Sequence, residues 1–257
     1  MIISSRTIRP LIRVFASGLL LTAGSAFAAP GEIQVTEEDF EEERVYSPFA
    51  GRDYPDEVLF GDTHFHTKLS PDAGLIGTTL SVEDGYRFAR GDEILSNTGQ
   101  RVKLIRPLDF LVVSDHAEYI GLAPMIRDAN PILLSDPYGK WLYESFTSGG
   151  DGAMKAFASI IADATSGNNQ LSESEMVPTI WREFIKDADA FDQPGRFSAM
   201  IGFEWTSMPD GNNLHRVIVL RDGADKAGQI LPFSLFDSQD PEDLWRFLAG
   251  YEEKTGG

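Results

Sequence analysis

The sequence predicts an α/β fold built on a largely parallel sheet or barrel, and three observations carry that prediction. Short apolar runs at residues 58–60, 108–113, 197–205 and 214–220 read as strands. Segments with helical spacing separate them, the alternation expected of β-α units. Hydrophobic residues make up 42 % of the 257 and charged residues 24 %, so the chain can bury a sizeable core.

Residues 1–28 read as a secretory signal peptide. Arg6, Arg9 and Arg13 form the positive start, Val14 to Ala23 the apolar stretch, and Ala26-Phe27-Ala28 the small-residue cleavage site. The apolar stretch is short of the roughly 20 residues a membrane span needs, so cleavage in the periplasm or on secretion is expected, with no span left afterwards. Residues 29–56 carry a run of acids at Glu37, Glu38, Asp39, Glu41, Glu42 and Glu43 with little periodicity, and read as a solvated arm. The domain proper is placed at 57–257.

The first strand signal, Val58-Leu59-Phe60, runs into Gly61-Asp62-Thr63-His64-Phe65-His66. Ser81-Val82-Glu83-Asp84 has the form of a capping box with Asp for the usual Glu, opening a helix through Tyr86 and Phe88 that stops near Gly91. Residues 92–106 alternate weakly around Asn97-Thr98-Gly99, which predicts a hairpin. Pro107 releases the apolar strand Leu108 to Val113, ending at Ser114-Asp115-His116.

From Tyr119 to Phe197 the spacing is helical, and about 120–196 reads as a helical insertion. Trp141, Leu142 and Phe146 recur at helical intervals, as do Phe157, Ile160 and Ile161, then Ile180, Trp181, Phe184 and Ile185. These side chains are assigned to the core rather than to a cofactor platform. Gly149-Gly150-Asp151-Gly152 lacks dinucleotide-binding spacing and reads as a flexible loop. After the strands 197–205 and 214–220, Asp240-Pro241-Glu242-Asp243 starts a last helix with a cap, an N1 proline and acids in its first turn. It closes at Gly256-Gly257, where a β-α architecture enters its next strand, so the chain reads as the front part of a longer protein.

The absence of cysteine excludes a disulfide framework, thiolate zinc sites, iron–sulfur clusters and a cysteine nucleophile. A net charge of −18 argues against a nucleic-acid binder, which needs a basic stripe. The chain has neither a Gly-x-Ser-x-Gly elbow, nor a phosphate-binding loop, nor a His-Glu-x-x-His helix. A Ser–His–Asp relay using Ser70 or Ser114 with His116 stays open on spacing alone.

The four histidines, His64, His66, His116 and His215, all lie near a strand end or early in a strand. His64 and His66 are two apart, so on extended backbone both imidazoles point to one face and can serve one metal ion. Asp72 can fold back to the same point after the Ser70-Pro71 turn. Glu204 is a carboxylate inside an apolar strand, costly to bury unless it meets a cation. Functional groups gather at the carboxyl ends of strands in such folds. Imidazole and carboxylate without sulfur suit Zn, Mn or Fe, with Asp62 a candidate to orient a ligating histidine.

At these residues the chain resembles the PHP superfamily (polymerase and histidinol phosphatase), and within it the bacterial exported domain-of-unknown-function family 3604. His64-Phe65-His66-Thr67 with Ser70-Pro71-Asp72 is similar to the first motif, Val113-Ser114-Asp115-His116 to the second, and Gly202-Phe203-Glu204 with His215 to the third. The resemblance spans about 57–257. It implies a distorted β/α barrel, up to three divalent ions held by His64, His66, Asp72, His116, Glu204 and His215, and a small-molecule substrate, with a phosphoester favoured. Asp62 and Asp115 are then candidates for orienting ligands or handling protons. The superfamily adds a histidine and an Asp-x-His pair on later strands, which are not in this sequence, and this agrees with reading the chain as a front part. Two other readings stay open: a metal-dependent amidohydrolase or lactonase, and a non-catalytic periplasmic module binding a ligand or metal through region 120–196.

Overall fold

The computed structural model describes residues 57–171 and 176–256. The expected signal peptide and acidic arm lie outside the described residues. Strand β1 (Gly61–Phe65) leads into helices α1 (Pro71–Gly74) and α2 (Val82–Ala89), then the short strands β2 (Ile94–Leu95) and β3 (Arg101–Val102), then β4 (Phe110–Val113). The helices α3 (Leu122–Arg127), α4 (Pro131–Ser135), α5 (Pro137–Ser148), α6 (Gly150–Ser166) and α7 (Met176–Phe191) follow. Strands β5 (Ser198–Ser207) and β6 (Leu214–Leu220) and helices α8 (Ala224–Ala227) and α9 (Pro241–Thr255) complete the order.

The fold is mixed α/β. The sheet runs β1-β4-β5-β6, parallel across the first three strands and antiparallel between β5 and β6. The two edge strands, β1 and β6, approach one another, so the sheet curls into a half-barrel. Local chemistry behaves as the sequence predicts at several points. Ser81 Oγ accepts the Asp84 N–H at 3.2 Å while Asp84 Oδ2 accepts the Ser81 N–H at 3.0 Å, closing the capping box on α2. Residues 94–102 form the expected hairpin. Asp240 caps α9 through the Glu242 N–H, with Pro241 at its first turn.

Three expectations need correction. Residues 58–60 are exposed and lie outside the strand, which begins at Gly61. Gly149-Gly150 is no flexible loop: Gly149 ends α5 and starts α6 in one residue, with a left-handed φ of 68° that glycine permits. Trp141 and Ile161 are 38 % and 42 % exposed. Each adjoins a more buried neighbour, Leu142 and Ile160, and lies at the margin of its helix's apolar face, where a side chain stays partly wet.

The core is in two parts. One lies between the sheet and α2 and α7, where Ile201, Phe203 and Trp205 of β5 pack against Trp181, Phe184 and Ile185. The other lies among α3, α4, α5 and α6, around Leu122, Leu133, Leu142 and Ile160. The strand period of two leaves Gly202, Glu204 and Thr206 on the opposite face of β5 from Phe203 and Trp205. That opposite face is also buried.

Gly202 marks how closely the strands pack there. A Cβ at this position would sit 2.5 Å from Val112 Cγ1 and 2.6 Å from the Ile218 carbonyl oxygen. Gly202→Ala is expected to cost about 2–3 kcal/mol through overpacking. A thermal melt should show Tm falling by roughly 5–10 °C, and an unchanged Tm would show that the two strands can part there.

Candidate metal centre

All six sequence-predicted ligands come together at one edge of the sheet. Parallel β1 and β4 both end there, delivering His64 and His66 from one and His116 from the other. His116 forms a bridge beside Glu204 as the ladder continues past β4. Because β6 runs antiparallel, its start lies at this same edge, and His215 sits directly opposite Thr206. A register irregularity between Asp62 and Phe65 inserts one extra residue into β1, a bulge of the kind that re-aims side chains near functional sites. Despite it, both histidines reach the same carboxylate oxygen.

Glu204 is the hub, 1 % exposed. Its Oε2 lies 3.0 Å from His64 Nε2, 2.7 Å from His66 Nε2 and 3.5 Å from His116 Nε2. Its Oε1 lies 2.9 Å from His215 Nδ1. The imidazoles form a row, His64 to His66 to His116 to His215, with ring centres 5.0, 5.1 and 5.1 Å apart. Asp72 closes the other side, with both oxygens 3.0 Å from His66 Nδ1 and Oδ2 3.8 Å from His116 Nε2. Three overlapping trios have ligand atoms within 4.8 Å of one another: His64, His66 and Glu204; His66, Asp72 and His116; His116, Glu204 and His215. These clusters could hold metal ions.

Two atoms argue that the set fits cations. His66 Nε2 and Glu204 Oε1 are buried and have no hydrogen-bond partner among the described residues, although imidazole and carboxylate crowd around both. Buried polar atoms are nearly always paired. Atoms that converge at short range without hydrogen-bond geometry are placed as donors around a shared cation would be.

Without an ion, the cluster holds protons instead. Burial pulls the His66 imidazole down, but its contacts with Asp72 and Glu204 outweigh this and raise it to about 10. Burial likewise disfavours the charged His116, yet Glu118, Glu204 and Asp72 hold it above the ordinary histidine range. Asp72 and Glu204 resist burial and lie below the usual carboxylate range because of the histidines beside them.

Asp62 and Asp115 are not brought into the cluster. Asp62 accepts the backbone N–H of His64 at 2.9 Å and steadies the strand rather than a ring. Asp115 is fully buried, with Oδ1 accepting the Thr67 N–H at 2.5 Å and Oδ2 the Thr67 hydroxyl at 2.6 Å. Burial pushes its carboxyl up to about 6. The serine relay is not assembled either. Ser70 donates to Asp72 Oδ1 at 2.6 Å, and Ser114 Oγ accepts the Phe65 N–H.

Two residues escaped sequence reasoning. Glu118 Oε1 accepts the N–H groups of Thr206 at 3.1 Å and Leu235 at 2.8 Å, and Oε2 lies 3.3 Å from His116 Nδ1. The Thr206 hydroxyl lies 3.0 Å from His116 Nδ1 and 3.3 Å from His215 Nδ1, so it can accept from one ring and donate to the other. The signal was available for Thr206, which is two residues beyond Glu204 on the same strand and so shares its face. Glu118→Gln keeps an oxygen for the two backbone N–H groups but removes the charge beside His116. Metal affinity is expected to fall about 10–100-fold, as for other partners that orient a ligating histidine. A metal titration of the variant checks this, and unchanged affinity would show that the charge is not needed.

A cavity of about 270 Å³ opens beside the cluster, lined on one side by Asp72, His116, Thr206 and His215 and on the other by Phe157, Ile160, Ile161 and Ala164 of α6. No helix among the described residues is long and apolar enough to cross a membrane. Comparison with curated proteins and with solved structures found no match to the chain. A family model does match, over residues 53–257, and the chain belongs to that family, described as proteins of unknown function, DUF3604.

Proposed function

We propose that this chain is an exported, metal-dependent hydrolase of the PHP type, acting on a phosphoester. The observation that carries the reading is Glu204, whose two buried oxygens face four histidines, with one of those oxygens left without a hydrogen-bond partner. The curled, mostly parallel sheet with its ligands at one edge supports a PHP-type barrel. The Arg-rich, then apolar, N-terminal residues support export.

His64, His66, Asp72, His116, Glu204 and His215 would hold up to three divalent ions of Zn, Mn or Fe, with Glu204 shared between trios. When bound, such ions supply Lewis acidity, lower the pKa of water and neutralise phosphoryl charge. The chain's own residues do the positioning. Ser70 fixes Asp72, Glu118 and Thr206 fix the His116 ring, and Thr206 relates it to His215. Asp115 is a positioning residue that acts through Thr67, the residue after His66. Three carboxylates (Asp72, Glu118 and Glu204) surround the centre, so two or more divalent ions leave it net positive and receptive to an anionic ester. Among the described residues no Lys or Arg lines the cavity, which favours a second reading, a neutral amide or lactone.

The test is a panel of phosphomonoesters, phosphodiesters, amides and lactones given to the full chain with added Mn or Zn. Phosphoester turnover that chelation abolishes and metal restores is expected. Turnover of amides or lactones alone would favour the second reading, and failure to bind any metal would sink both.

A further inference from the structure

The cavity beside the metal centre has two unlike walls. One is made of the ligands and their partners together with Asn213, and Leu75, Tyr119, Met208 and Leu235 also line the space. The other is made of α6, which presents Phe157, Ile160 and Ile161 from the helical insertion. No Lys or Arg among the described residues lines the space between them. A sugar, nucleotide or polyol next to the scissile bond needs hydrogen-bonding or cationic side chains, and α6 offers neither. Ile161 is a large apolar side chain left 42 % exposed, next to the buried Ile160. An apolar group settling there would remove from water a surface that the chain otherwise leaves wet. A cavity of about 150 Å³ suffices for a benzene-sized group, so about 270 Å³ admits one together with part of an ester.

We infer that the substrate joins its hydrolysed group to an uncharged aryl or alkyl group, and that Phe157 and Ile161 of α6 select it. The inference rests on the phosphoesterase reading: the metal centre takes the anionic end, and α6 takes the apolar end. The helical insertion then has a role at the site, as the element that sets specificity.

The probes are phosphonates, which are not hydrolysed, titrated calorimetrically into the manganese-loaded full chain. Phenylphosphonate is expected to bind at least about tenfold more tightly than methylphosphonate, given the apolar area a phenyl ring buries. Dihydroxypropylphosphonate, of similar length but polar, gains no such advantage. Phe157→Ala should reduce the phenyl preference to below about threefold. Ile161→Asn, at an exposed position that tolerates substitution, should act in the same direction, which covers the case of a misfolded Phe157 variant.

Equal affinity for phenyl and methyl probes, or a preference untouched by both substitutions, overturns the inference while leaving phosphoester turnover as evidence for the parent reading. If no phosphonate binds and no phosphoester turns over in the metal-loaded protein, the phosphoesterase reading itself has failed and this inference falls with it.

Discussion

Glu204→Gln is expected to strip the centre of its metal, lowering affinity by more than the roughly hundredfold that loss of a supporting partner costs. Every trio but one contains this carboxylate. Glutamine keeps the shape but turns an N–H₂ group toward imidazole nitrogens, and it removes a charge that faces all four histidines. Phosphoester turnover should be lost with the metal. The fold should survive, because an uncharged side chain is easier to bury than a carboxylate. Elemental analysis beside circular dichroism separates the two effects. His64→Ala gives an internal comparison: its side chain is 52 % exposed at the end of the row, and it belongs to a single trio. Partial metal retention is expected there. Full metal content in Glu204→Gln would remove the central claim about this site.

The second large effect is a change, on adding metal, in how stability varies with pH. In the metal-free protein, His66 moves from an ordinary 6.5 to about 10 on folding. A raised basic group contributes stability that is complete below pH 6.5 and is lost as pH climbs toward about 10. Asp115 pushes the same way. Its carboxyl rises from 3.8 to about 6, so the cost of charging it builds up between those values. Asp72 and Glu204 act on the acid side, where their contribution is present above 3.8 and 4.5 and fades as pH drops through their lowered values. The metal-free protein is therefore most stable in mild acid, and between pH 6 and 9 it should lose on the order of 3 kcal/mol, or roughly 10 °C in Tm.

Metal ions compete with those protons. Their affinity rises with pH as His66 and His116 give protons up, and at a hundred times Kd they return about 2.7 kcal/mol of stability. The gap between metal-loaded and metal-free Tm should widen steadily from pH 5.5 to 8.5. Melts across that range, with and without Mn, check it. A gap independent of pH would mean that the ions do not bind at these imidazoles.

Much of the fold was legible because short-range rules decide it. The capping box at Ser81, the hairpin around Asn97-Thr98-Gly99 and the proline-led start of α9 each depend on a few adjacent residues. The metal-cluster residues were legible because they are chemically rare. Four histidines and one carboxylate inside an apolar strand have few other reasons to sit at strand ends. What failed depended on which face a helix turns inward. Trp141 and Leu142 are both apolar neighbours, and only packing against α6 and the rest of the second core chose Leu142. Asp62 and Asp115 read as candidates for orienting ligands or handling protons, and type and position do not say which groups they meet. The hydrogen bonds to the His64 N–H and to Thr67 turned them elsewhere.

By itself, the sequence determined the alternation of strands and helices and the donor types, imidazole and carboxylate without sulfur. Those follow from residue identity and periodicity, which a linear chain carries in full. Only the tertiary structure decided that Glu204 faces four imidazoles, that Glu118 and Thr206 hold the rings, and that α6 faces the centre. The reason is geometric. The extra residue in β1, the antiparallel return of β6 and the folding of α6 over the sheet edge set distances between residues up to 140 positions apart. No local pattern encodes those distances.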